Sequence, residues 1–186
     1  MWSSVVSLWC RTLLTFLAPV RTDAEPFDVV ATRFRVLPTD LDVYGHMNNG
    51  RYLSISDIGR FDLLRRSGLW RVMSKRGWYP VVASSTISYR KSLQPWQKFT
   101  VESRFLGVNE RDVYLEQRFV VAGEVYARLF IRGRFLMKSG GHVPMDDLIA
   151  ILGERPIPTA MPAWLIAWGA DVALPSAKSP APSEWE

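Results

Sequence analysis

Cysteine is nearly absent. Cys10 is the single one among 186 residues, which excludes an internal disulfide and any cysteine-based metal cluster. Histidine is almost as scarce, and His46 and His142 lie too far apart to form a usual zinc-ligand spacing. A long uninterrupted apolar run is also missing, because Arg11 and several serines and threonines break up the N-terminal one. A secretory leader calls for a positively charged start, and this chain opens with Met1-Trp-Ser-Ser4. No helix-turn-helix, zinc-finger or RNA-binding signature occurs, so no nucleic-acid partner is expected. The absences point to a protein without a metal, of a reducing compartment, cytoplasmic or associated with a membrane.

What is present fits one domain with a sizeable core plus terminal additions: 48% of residues are hydrophobic and 22% charged. Eight tryptophans are many for this length and imply apolar surface buried in a core, an interface or a membrane. The formal net charge is +5 and comes mainly from arginine. Arg104, Arg111, Arg118, Arg128, Arg132 and Arg134 are scattered through strand-like segments. That pattern suits anionic ligands or anionic lipid better than sequence-specific nucleic-acid reading.

Periodicity organises the rest. Trp2, Val5, Val6, Trp9, Leu13, Phe16, Leu17 and Val20 recur at helical spacing, with serines, Arg11 and Thr15 opposite. Residues 1–20 are therefore expected to form an amphipathic helix that lies on a membrane or docks on the domain. An extended segment follows from Val29 to Val36. From Asn49, Tyr52, Ile55, Ile58 or Gly59, and Leu63 share one face of a long helix, which Asp40 or the asparagines can cap and Gly68 ends. Four strand-like runs come next (Val81–Tyr89, Phe99–Leu106, Val113–Val121 and Val125–Met137), then a short helix over Met145–Leu152. The tail from Leu174 has the composition of a disordered segment. This order is α+β: a curved antiparallel sheet wrapped around one long central helix, which is the only element large enough to bury the sheet's apolar face. The expected division is an N-terminal segment and linker at 1–24, the domain at 25–153, and a partly disordered extension at 154–186.

One stretch carries most of the chemistry. Thr39-Asp-Leu-Asp-Val-Tyr-Gly-His-Met-Asn-Asn-Gly-Arg-Tyr52 crowds two carboxylates, an imidazole, two carboxamides and two tyrosines at the entry to the long helix. Asp42 can act as nucleophile or general base, or merely cap the helix. Asp40 is expected to face solvent or to cap. His46 can bond a carbonyl or shuttle a proton, or be a loop histidine bonded to backbone. Asn48 suits turn geometry, and Tyr52 suits the core with its hydroxyl satisfied. Exposed backbone N–H groups near Asn49 would face an anion with the helix dipole behind them. Asp57 is either a second catalytic carboxylate or a salt-bridge partner for Arg60 or Arg90. Arg90 and Lys91 are candidates for ligand phosphates or a solvated strand end, and Trp70, Trp78 and Trp96 for a ligand tunnel, core or dimer contact.

The motif Asp40-Leu-Asp-Val-Tyr-Gly-His-Met-Asn-Asn-Gly-Arg-Tyr52 resembles the Asp-Leu-Asp and His-x-Asn-Asn-x-x-Tyr signature of plant acyl-ACP thioesterases. The spacing of Asp42, Gly45 and Tyr52 is similar to that of the 4-hydroxybenzoyl-CoA thioesterase group. Leu37-Pro-Thr-Asp-Leu-Asp42, the segment His46 to Leu53 and Tyr114-Leu-Glu-Gln-Arg-Phe119 look like the thioesterase superfamily member 6 group and its bacterial relatives. Over residues 30 to 138 the resemblance implies a hotdog fold and an acyl-CoA or acyl-ACP thioesterase without a cofactor. It implies Asp42 as the catalytic carboxylate, Asn49 as oxyanion donor, and roles for His46 and Asp57. Asn48, Tyr52, Arg90 and Lys91 would belong to substrate binding. A single hotdog unit leaves half the pocket unmade, which implies a homodimer with sites at the interface. Two other readings remain on the same fold: a non-catalytic acyl- or lipid-binding protein at a membrane surface, and an acyl-thioester dehydratase or hydratase.

Overall fold

A computed structural model of the chain describes residues 10–13, 17, 22–153, 161–176 and 179–183. Five strands form one antiparallel sheet: β1 (Val30–Arg35), β2 (Trp78–Tyr89), β3 (Lys98–Val108), β4 (Val113–Val121) and β5 (Glu124–Met137). Their spatial order is β1-β3-β4-β5-β2. The strands and long helix therefore fall where periodicity puts them, but β2 and β3, consecutive in the chain, are not neighbours in the sheet. Residues 90–97 carry the chain across to β3, and β2 pairs with β5 at the opposite edge. The turn between β4 and β5 is two residues long, with Ala122 and Gly123 both at positive φ, as a tight hairpin requires. Bulges between Val82 and Ser84 and between Phe105 and Gly107 accompany the sheet's bend.

The long helix α1 (Asn49–Arg66) lies on the concave face. Asn48 caps it, accepting the Gly50 N–H at 2.8 Å, and Arg65 and Arg66 occupy the last turn, where cations suit the dipole. Gly68, at φ 75°, follows the end. Its buried face, Tyr52, Ile55, Ile58, Gly59, Leu63 and Leu64, is the one the spacing predicts. Gly59 fits against the sheet: a Cβ there would stand 2.9 Å from Val101 Cγ1. Beside it Gln117 donates to Ser103 Oγ (2.8 Å) and to the Ser56 carbonyl (2.9 Å), a polar tie inside an otherwise apolar core.

Three shorter α-helices are present among the described residues. Leu69–Lys75 (α2) is a helix that periodicity missed because it spans barely two turns. Met145–Leu152 (α3) is where it was expected, burying Leu148 and Leu152. Ala163–Asp171 (α4) packs on the convex face of the sheet through Leu165, Tyr114 and Phe130. Arg132 Nη1 donates to the Gly169 carbonyl and holds that helix down. Of the expected N-terminal helix, residues 10–13 and 17 are helical and the remainder lies outside the described residues. Among the described residues no helix is long and apolar enough to cross a membrane.

Candidate active site

The polar loop is a small hairpin. Leu41 bridges to Met47, Asp42 N–H donates to the His46 carbonyl at 2.8 Å, and Gly45 takes φ 76° near the tip. Asp42 Oδ1 accepts the N–H groups of Tyr44 (2.9 Å) and His46 (3.2 Å). This is the local turn chemistry that short carboxylates favour. One carboxylate oxygen is thus fixed, and no donor among the described residues reaches the other. Met47 N–H donates to the Leu93 carbonyl and pins the loop to the 90–97 crossover.

Asp40 is buried rather than solvent-facing. It accepts the Leu37 N–H (2.8 Å) and Arg11 Nη2 (2.8 Å), with Arg51 Nε at 3.9 Å. Its carbonyl accepts the Asn48 N–H at 2.8 Å. The expected cap of the long helix is therefore Asn48, and Asp40 braces Asn48 from behind. Arg51, whose Nη2 donates to the Thr39 carbonyl, ties the first turn of α1 to the same loop.

Asn49 is the first helical residue. Its N–H meets no acceptor among the described residues, and the positive end of an 18-residue helix lies behind it. Tyr52 is buried as expected, with its hydroxyl accepting the Leu93 N–H at 3.1 Å and its ring against Tyr89 and Phe119. Burial raises its pKa. Asp57 is paired with Arg60, the salt bridge that its place on the helix allowed. Arg90 and Lys91 both bind Glu124, at 2.7 and 2.8 Å, so two cations share one carboxylate. The contacts of Lys91, then Arg90, hold the Glu124 pKa down.

A second feature lies farther along α1. A cleft of about 260 Å³ opens between the helix (Asp57, Arg60, Phe61, Leu64) and strands β2 to β5 (Val81, Val82, Phe105, Leu115, Ile131, Phe135). No residue of the polar loop lines it, and neither do Trp70, Trp78 or Trp96. The cleft has apolar walls with Asp57, Arg60 and Arg134 at its edge, suited to a hydrocarbon chain, whereas the loop offers a carboxylate and an N–H that meets no acceptor among the described residues, suited to a polarised carbonyl. Arg60 reaches inward to Gln117 Oε1 (3.0 Å) and Ser56 Oγ (3.1 Å). Burial pushes its pKa down to about 10, which leaves it cationic at neutral pH. Sequence reasoning passed over this Ser56–Arg60–Gln117–Ser103 network. Its signal was present in the alternation: Gln117 and Ser103 sit at inward positions between Leu115 and Phe119 and between Val101 and Phe105. Among the described residues no group of three or more His, Cys, Asp or Glu side chains could hold a metal ion.

A sequence profile of the Thioesterase-like superfamily matches residues 36–169. The chain belongs to that superfamily. It is similar to Protein THEM6 of Xenopus laevis, 41% identical over 99 residues, covering 53% of this chain and 48% of the relative. It is also similar to the long-chain acyl-CoA thioesterase FadM of Escherichia coli, 31% identical over 86 residues, covering 46% of this chain and 65% of FadM. The chain spans about half the length of the THEM6 relatives it matches. Among solved structures it resembles YbaW Probable Thioesterase from Escherichia coli, with a TM-score of 0.59 and 27% identity over 62% of this chain and 90% of that one. The sheet-around-helix architecture of this superfamily member is the hotdog fold.

Proposed function

We propose that this superfamily member hydrolyses acyl thioesters, carried on coenzyme A or acyl carrier protein, at the loop that leads into α1. The observation behind this is the Asn49 N–H, which meets no acceptor among the described residues at the positive end of α1, with the Asp42 carboxylate fixed through one oxygen in the same loop. The N–H would take up charge developing on the thioester oxygen. Asp42 would either attack the carbonyl carbon directly, giving an acyl-aspartyl anhydride that a water then hydrolyses, or take a proton from a water that attacks; in both cases the thiol leaves as the tetrahedral centre collapses. His46 is held by its backbone beside Asp42, which suits it to the proton delivered to the leaving thiolate. Asn48 fixes the helix start, and Tyr52 fixes the crossover behind it. Arg90 and Lys91 keep a net positive charge after Glu124 is counted, in keeping with a phosphate-bearing carrier.

The functional unit of this reading is a homodimer. Among the described residues the outer edge of β2 has no partner strand, and Val81 and Val82 on that strand line the open cleft. A second copy would cover that edge. Peripheral membrane contact through residues 1–20 remains part of the same reading.

Asn49→Pro tests the oxyanion assignment. Proline is tolerated at the first helical position, and Asn48 already has the extended backbone that a following proline requires (φ −60°, ψ 138°). The substitution removes one N–H and little else. With acyl-CoA panels from short to long, the expected result is a fall in kcat of about 10²–10³ with KM little changed, while Asn49→Ala keeps the wild-type rate. Turnover undiminished in Asn49→Pro would contradict the assignment. No thiol release by the wild type on any substrate would favour an acyl- or lipid-binding protein.

A further inference from the structure

The convex face of the sheet carries a charge and an apolar surface that hydrolysis does not use. Successive inward residues of β1, β3, β4 and β5 enter the core, so their neighbours point outward. Six of these outward residues are cations at least partly open to solvent: Arg33, Arg35, Lys98, Arg104, Arg118 and Arg128; a seventh, Arg132, is buried beneath α4 beside Asp112. The strand registers place them side by side, with Arg35 opposite Lys98 and Arg118 opposite Arg128. Two carboxylates share the face. Glu116 is buried beneath Arg104 (2.6 Å) and Arg118 (2.7 Å), and Glu102 stands opposite Arg118. The excess is four positive charges on one surface, against +5 for the whole chain.

An apolar strip borders that surface. The Arg128 guanidinium lies over the Phe130 ring at 5.1 Å, and Phe130 meets Trp164 of α4 edge-on at 5.0 Å. Trp164 is 48% exposed on one flank of α4, Ile166 is exposed on the other, and Val172 and Leu174 after the helix also face solvent, Leu174 at 89%. Arginine beside the Phe130–Trp164 pair, with exposed aliphatic side chains on and after α4, matches the chemistry of a bilayer surface: anionic headgroups for the cations, acyl chains for the apolar groups. A nucleic acid would use the arginines but leave Ile166 and Leu174 without a partner.

We propose that the convex face, Arg118 and Arg128 together with the exposed side of α4, docks on an anionic lipid membrane. This surface is distinct from residues 1–20, and the test separates the two. The full chain is floated with phosphatidylcholine vesicles and with vesicles in which about 30% of the lipid is phosphatidylserine, the anionic leaflet component. Binding to neutral vesicles reports the N-terminal segment, and the increment from phosphatidylserine reports the convex face. Arg118→Gln/Arg128→Gln is expected to reduce that increment about 30-fold, and raising the salt to about 0.5 M should do the same to the wild type. Ile166→Ser/Leu174→Ser, which touches no charge, should weaken the same increment. Anionic binding that is unchanged in both double variants, with melting temperatures intact, would overturn the proposal. So would wild-type protein that ignores phosphatidylserine but is retained by RNA or by an acidic carrier protein.

Discussion

At the scale of single residues, carboxylates in this chain are distinguished by what neutralises them. Asp40 and Asp42 lie two positions apart, yet one is buried against Arg11 and the other is bonded to its own loop with an oxygen to spare. Their division of labour could not be read from the sequence, because Arg11 is distant in the chain and its approach depends on the tertiary fold. The pairing of Asp57 with Arg60 was legible, since three residues along a helix bring such side chains together. A direct prediction concerns Arg11. Arg11→Ala leaves a buried carboxylate without its close cation and should destabilise the protein by about 3 kcal/mol, measured by chemical denaturation. Adding Asp40→Asn should recover part of that loss. If Arg11→Ala costs nothing, Asp40 does not depend on the N-terminal segment, and the brace behind Asn48 is wrongly drawn.

At the scale of elements, the long helix and the strand runs were legible because their apolar positions recur at periods of 3.6 and 2. The neighbour of β2 was not. Residues 90–97 contain Pro95 and two glutamines, which read as a turn, and nothing local says whether such a segment reverses the chain or crosses the end of the sheet. Gly59 posed a similar problem, since a glycine in mid-helix reads as a weakness until the sheet is in view. Its Cβ would meet Val101, Ser103 and Gln117, so the helix lies closer to the sheet than any larger residue permits. Gly59→Ala should therefore lower stability by about 1–3 kcal/mol, reversing the gain of about 1 kcal/mol that alanine brings to an open helix. Thermal melts of the variant would check this, and a stabilised Gly59→Ala would mean that the helix can shift outward at little cost.

At the scale of the whole molecule, three surfaces have separate jobs in this account. The loop at the head of α1 would carry the chemistry, the cleft along α1 would receive the acyl chain, and the convex face would meet the membrane. The loop was legible as a site from its density of polar groups before a helix. The cleft was not, because its walls come from four strands and one helix far apart in the chain. The separation raises the central question, since Asp42 belongs to the loop while Asp57 stands at the cleft. Asparagine replaces either carboxylate without upsetting the fold: at Asp42 its Oδ1 can still accept the Tyr44 and His46 N–H groups, but it is no base. The decisive measurement is kcat for Asp42→Asn and Asp57→Asn, side by side on one saturating acyl-CoA. Asp42→Asn should lose at least about 10²-fold, and Asp57→Asn should stay within a few-fold of wild type. The reverse pattern, with turnover surviving at Asp42→Asn and lost at Asp57→Asn, would contradict the Asp42 assignment and move the reaction into the cleft.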